Sequence, residues 1–151
     1  MSCQEEVDFG KGIGLKNICQ LTGHAHQIAC LQVNSKDTDN TGLRIHGGAH
    51  VAIRFLLKYQ EFIQNKRVCE LGCGTAVVGL LGTNGGIIPS HLVLTDGNIE
   101  AVTIASQNVE QLAMVPNISK ISCQQLLWGS KLNVEEMVES LSSFFDKDSM
   151  N

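Results

Sequence analysis

The sequence predicts an α/β domain organised around a parallel sheet. Three observations carry this expectation. Apolar runs of strand length alternate along the chain with longer segments whose apolar residues recur at helical spacing. One strand, in Arg67-Val68-Cys69-Glu70-Leu71-Gly72-Cys73-Gly74-Thr75, runs straight into a Gly-x-Gly turn of the kind that joins strand to helix in such domains. A second strand, His91-Leu92-Val93-Leu94-Thr95-Asp96, ends in an acid about 22 residues after that turn.

The elements follow in order. Residues 1–22 alternate polar and small residues around Gly10, Gly12 and Gly14, which predicts a flexible leader. Ile28, Cys30 or Leu31, and Val33 mark a strand over 26–33, and the polar run 34–42 is a turn from which Leu43-Arg44-Ile45 is expected to pair back. Ala49, Ala52, Ile53, Leu56, Leu57 and Phe62 form one helical stripe, expected to pack on the sheet. After the strand at 67–71 and the glycine turn, 76–81 is a short helix ended by Asn84-Gly85-Gly86. Beyond the strand at 91–96, residues 98–114 form a helix stopped by Pro116, and 121–127 a third strand. A last amphipathic helix covers 133–145, with Asn133 as N-cap, Glu136 completing a capping box and an apolar stripe for core packing.

Size and composition bound the possibilities. The 151 residues suffice for one domain with a substantial core. Net charge is −4 and the basic residues are scattered, so the electrostatic footprint of a nucleic-acid binder is missing. No apolar run approaches the roughly 20 residues of a membrane span, and Met1-Ser2-Cys3-Gln4-Glu5-Glu6 lacks the pattern of a signal peptide. A soluble, cytoplasmic protein is expected, with the nucleus as a further location. The six cysteines include no CxxC pair and are read as free thiols. His46 and His50 stand four apart without the glutamate of a zinc-protease helix or a third ligand, so no metal site is expected.

The chemistry concentrates at the strand ends. Glycines at 72 and 74 let backbone N–H groups approach a ligand, as in nucleotide cradles. A carboxylate at Glu70 suits a ligand bearing an ammonium or sulfonium group better than a pyrophosphate. Asp96 is placed to accept hydrogen bonds from ribose hydroxyls, as expected of either a nicotinamide dinucleotide or S-adenosylmethionine. The dinucleotide fingerprint wants a small residue where this chain has Val77, so Glu70 and Val77 together favour the sulfonium cofactor.

Five blocks, spanning about residues 23–129, resemble the seven-strand S-adenosylmethionine-dependent methyltransferases of the protein-lysine methyltransferase-like branch, methyltransferase family 16 type. They are Gly23-His24-Ala25-His26-Gln27-Ile28 with Gln32; Thr41-Gly42-Leu43-Arg44-Ile45 leading to Arg54-Phe55-Leu56; Val68 to Thr75; Val93-Leu94-Thr95-Asp96-Gly97-Asn98; and Leu126-Leu127-Trp128-Gly129. The resemblance implies a Rossmann-like parallel sheet of class I methyltransferases and S-adenosyl-L-methionine as cofactor. It implies that Glu70, Gly72 and Gly74 line the methionine and ribose part, that Asp96 holds the ribose, and that Trp128 lies beside the adenine. Cys73, Gly97 and Asn98 belong to the same cofactor-binding motifs. The implied function is methyl transfer to a protein lysine, with a shortened, non-enzymatic isoform acting as a cofactor-binding or interaction module as the alternative.

Two departures from the family pattern bear on that expectation. Ile45-His46-Gly47-Gly48 stands where the family usually carries a tryptophan, so an aromatic cofactor wall is lost. After Phe145-Asp146 the sequence passes into a polar tail, 147–151, and the expectation is an incomplete N-terminal portion, 23–146, truncated after the third strand. The part that would supply the acceptor pocket is then missing, and no catalytic residue is named. The glycine-turn strand would become an open sheet edge, through which self-association is expected.

Overall fold

The computed structural model describes residues 6–8, 13–18, 28–33, 41–84, 89–112 and 120–146. β1 (Glu6–Asp8), β2 (Ile13–Ile18) and β3 (Ile28–Val33) form an antiparallel sheet, with Asp8 opposite Gly14 and Ile18 opposite Ile28. The segment expected to be a flexible leader therefore holds two strands. Its glycines mask the strand signal, and the hydrogen bonds that define the strands come from the pairing of β1 with β2 and of β2 with β3 rather than from local preference. The expected return of Leu43-Arg44-Ile45 onto β3 is not made. Thr41–Leu43 is a 3-10 turn, Leu43 and Ile45 are buried, and the partner of β3 is β2. The block at 23–27, the turn residues 34–40, Gly85-Gly86, Pro116 and the tail 147–151 lie outside the described residues.

α1 (Gly47–Lys58) buries Ile53 and packs Ala49 and Leu57 beside it. It ends earlier than its stripe predicts. A separate 3-10 turn, Gln60–Phe62, carries Phe62, which is exposed and stacks on Phe55 with ring centroids 6.5 Å apart. Beyond it, β4 (Arg67–Leu71), α2 (Val77–Asn84), β5 (His91–Asp96), α3 (Ile99–Leu112) and β6 (Lys120–Gln125) alternate as expected. The three strands form a parallel sheet in the order β4-β5-β6.

The register explains the core. Val68, Leu92 and Ile121 lie in one row across the sheet, and Glu70, Leu94 and Cys123 in the next. Cross-strand neighbours share a face, so these rows present one apolar surface, interrupted by Glu70, to Ala76, Val77 and Leu80 and to α1 and α3. β5 is buried from His91 to Thr95, as its nearly continuous apolar run requires of a central parallel strand. β4 alternates instead, with Arg67, Cys69 and Leu71 exposed, and among the described residues it pairs on one side only. Because the strands are parallel, the glycine turn after β4, Asp96 at the end of β5 and Trp128 after β6 all emerge at the carboxyl end of the sheet, where open α/β domains bind ligands.

α4 (Lys131–Asp146) begins two residues before the expected start. Ser130, not Asn133, is its N-cap: the Asn133 N–H donates to Ser130 Oγ at 3.4 Å. Asn133 is thus already inside the helix, where its short polar side chain cannot cap it. The stripe expected to pack in the core is largely open, with Val134 and Val138 exposed, since α4 meets no sheet face along those positions among the described residues.

Candidate cofactor site

Residues 72–76 take an unusual path. Gly72, Gly74 and Ala76 all have positive φ, at 68°, 55° and 65°. Neighbouring elements hold this turn in place. The Cys73 N–H donates to the Thr95 carbonyl at 2.8 Å, and Thr95 Oγ1 donates to the Glu70 carbonyl at 2.8 Å. From α3 the buried Asn108 donates through Nδ2 to the Thr75 carbonyl at 2.9 Å. Gly74 is approached from the other side, since a Cβ on it would lie 2.7 Å from the Gly42 carbonyl oxygen. The second glycine of the turn therefore makes room for protein backbone as well as for a left-handed conformation.

Asp96 ties the strand ends together. Its Oδ2 accepts the Gly74 N–H and its Oδ1 the Asn98 N–H, both at 2.9 Å. A carboxylate has about four acceptor positions, so each oxygen keeps capacity for one more donor. The Asn98 side chain is engaged locally, since its Oδ1 accepts the Glu100 N–H at 2.9 Å and caps α3. The Gly97 carbonyl accepts Gln125 Nε2 at 3.0 Å, joining this loop to the end of β6. Trp128 is 73% exposed, which excludes a core role, and its Cζ2 lies 3.7 Å from where a Gly72 Cβ would stand. The indole thus borders the glycine turn.

Beneath the turn lies a cavity of about 310 Å³ between the 42–52 segment and residues 70–78. Glu70, Gly72, Cys73 and Gly74 line it; Asp96, Gly97, Asn98 and Trp128 do not. Gly72 connects the two regions, touching the cavity on one side and the indole on the other. The Cys73 thiol points into the core, and burial, with Glu70 and Asp96 nearby, pushes it well above the ordinary thiol range. It stays protonated and offers no nucleophile.

Glu70 is the chemically unusual member. Its Oε2 is buried without a hydrogen-bond partner, and burial pushes its carboxyl up to about 7. The Gly79 N–H in the first turn of α2 holds that value down in part, yet leaves Oε2 unsatisfied. Burying an acid without a partner costs stability, and such groups concentrate at sites that complete themselves with a ligand. Among the described residues no group of three or more His, Cys, Asp or Glu side chains could hold a metal ion.

Comparison with known proteins identifies the lineage of this arrangement. The sequence pattern of a family described as lysine methyltransferase matches residues 26–142. The chain belongs to the lysine methyltransferase family. A calmodulin-lysine N-methyltransferase of Arabidopsis thaliana is 28% identical over 114 residues, a match covering 75% of this chain and 36% of the relative. The chain thus spans little more than a third of the curated relative's length. Membership implies a methyl donor, and in this family member the strand-end acids and the glycine turn stand where a ligand at the carboxyl end of the sheet would meet them.

Three positioning residues are not recognisable as such from the sequence motifs. Asn108 interrupts the apolar stripe of α3, and that polar intrusion is the one signal it leaves. Thr95 reads as an ordinary strand residue. Gly79 lies within α2, where glycine is unfavourable unless packing demands it: a Cβ there would stand 2.7 Å from Glu70 Oε2 and 2.8 Å from Leu94 Cδ2. The small residue sought at position 77, where Val77 stands, is supplied two positions later.

Proposed function

We propose that this chain carries the S-adenosylmethionine site of a protein-lysine methyltransferase. The single observation that carries the proposal is Glu70, which lines the cavity beneath the glycine turn and whose Oε2 is buried without a hydrogen-bond partner. The residues present fit the cofactor. An ammonium group would satisfy Glu70, and the free acceptor positions of Asp96 suit ribose hydroxyls while Gly74 and Asn98 fix its orientation. The exposed face of Trp128 offers stacking area for an adenine. Gly97 and Asn98 then serve through the backbone and the α3 cap rather than by direct contact, and Cys73 through its backbone.

When bound, the cofactor supplies a methyl group on a sulfonium leaving group, so the protein's work is chiefly alignment. Glu70 and Asp96 orient the two ends of the donor, and the hydrogen bonds from Thr95 and Asn108 keep the turn from shifting between them. The acceptor proposed is a lysine of a protein. Calmodulin is the first to assay, because the Arabidopsis relative is named for it.

An amide-resolved NMR titration with S-adenosylmethionine tests the site. Shifts at Gly72, Gly74, Asp96 and Trp128, lost in Asp96→Ala, are expected; a cofactor-blind spectrum of the folded chain refutes the proposal. Binding without transfer of radiolabelled methyl to lysine would instead support a cofactor-binding module. Self-association through β4 is also proposed, because its outer edge is unpaired among the described residues and Leu71 on it is 59% exposed. Light scattering coupled to gel filtration should give a dimer that Leu71→Lys converts to monomer. A wild-type monomer at high concentration rejects it.

A further inference from the structure

An acid and a base line the cavity beneath the glycine turn, Glu70 and Arg44. Neither has an ion-pair partner among the described residues. Much of the remaining wall is apolar or glycine, including Ile45, Ala49, Ala52 and Val77. One acid and one guanidinium on the wall of a small, mostly apolar cavity match a zwitterion, whose ammonium and carboxylate are separated by a single carbon. We propose that Arg44 anchors the carboxylate of an α-amino acid group in this cavity while Glu70 takes its ammonium, so that the amino-acid end of the methyl donor lies under the 42–46 segment. The inference rests on the S-adenosylmethionine site proposed above and assigns a residue that the site so far does not use.

The local structure suits Arg44 to this role. Its neighbours Leu43 and Ile45 are both buried, which pins the backbone on either side while the Arg44 side chain remains exposed. The same segment is held to the turn at the Gly42–Gly74 approach. A guanidinium fork can receive both oxygens of a carboxylate, which a lysine ammonium cannot do with the same geometry. His46 also lines the cavity, but an imidazole lacks the planar fork of donors. An added Cβ at Gly47 or Gly48 would meet open space, so neither position closes over the guanidinium.

Isothermal titration of the full chain with two probes tests the assignment. S-adenosylhomocysteine carries the amino-acid end, and 5′-methylthioadenosine lacks it. Arg44→Gln should weaken the first by about 10- to 100-fold, the range of a charge-assisted hydrogen-bonded pair, and change the second by less than about twofold. Arg44→Lys should recover part of the loss and carries the same comparison if the glutamine variant folds poorly. Equal weakening of both probes, or of neither, overturns the role of Arg44 while leaving the cofactor site intact. A wild-type chain that binds neither probe refutes the cofactor site itself, and this inference with it.

Discussion

Replacing Gly79 by alanine should destabilise the chain even though alanine is the better helix former. In an unobstructed helix interior the exchange gains up to about 1 kcal/mol. At Gly79 the new methyl would lie 2.7 Å from Glu70 Oε2, 2.8 Å from Leu94 Cδ2 and 3.2 Å from Leu92 Cδ2. Leu94 is 0% and Leu92 2% exposed, so neither can swing into free space. Overpacking a well-filled core costs about 1–3 kcal/mol, and two contacts this short belong at the upper end. The net expectation is a loss of about 1–2 kcal/mol. Gly48 is the internal control: it lies in α1, has no atom within 4 Å of an added Cβ, and should gain from some tenths to about 1 kcal/mol as alanine. Urea unfolding reads both. With a slope of about 1–2 kcal/mol per molar, the midpoints should move in opposite directions, Gly79→Ala downward by about 1 M. If Gly79→Ala raises the midpoint as Gly48→Ala does, α2 does not press on β4 and β5 as described.

Other expectations concern the same site and its supports. The Glu70 carboxyl is pushed up to about 7 from 4.5, so the folded chain holds its proton more tightly than the unfolded one. The stability this contributes is fully present below about pH 4.5 and is lost as pH rises through about 7; at about 1.36 kcal/mol per pH unit it amounts to at most about 3 kcal/mol. Glu70→Gln should therefore flatten the fall in urea midpoint between about pH 5 and pH 8, and identical slopes for variant and wild type would contradict the burial of the acid. Asn108→Ala removes the bond to the Thr75 carbonyl and leaves it unsatisfied, at a cost of about 2–3 kcal/mol with faster amide exchange at Gly74; a change below about 0.5 kcal/mol would dissociate α3 from the turn. Ser130→Ala should fray the start of α4 by about 0.5–1 kcal/mol in hydrogen exchange, whereas Asn133→Ala should not, and the reverse ranking would restore Asn133 as the cap.

Much of the parallel sheet is legible in the sequence because its signals are local. Strand β5 stands at its expected bounds, and β4, α3 and β6 lie within about two residues of theirs, since the period of apolar residues lies within each segment. The glycine turn is legible for the same reason. β1 and β2 are not, because their strand character depends on the pairing of β1 with β2 and of β2 with β3, and the hairpin-like return of Leu43-Arg44-Ile45 fails because burial of Leu43 and Ile45 outweighs their strand preference. At the site, the motif points to Glu70, Gly72 and Gly74, but Cys73 proves a core thiol and Asn98 a helix cap.

The sequence by itself determined the order of elements, the motif at the strand ends and the charge of the acids there, because each is written in neighbouring residues. Tertiary structure decided which of those groups are already employed. Asp96 commits two acceptor positions to Gly74 and Asn98, Gly74 yields to the Gly42 carbonyl, and Gly79 is required by side chains on two strands. It also decided that Glu70 Oε2 is buried without a hydrogen-bond partner and that Arg44 lines the same cavity as Glu70. Separation along the chain says little about such approaches, since they arise only when parallel strands align their ends and helices close over them.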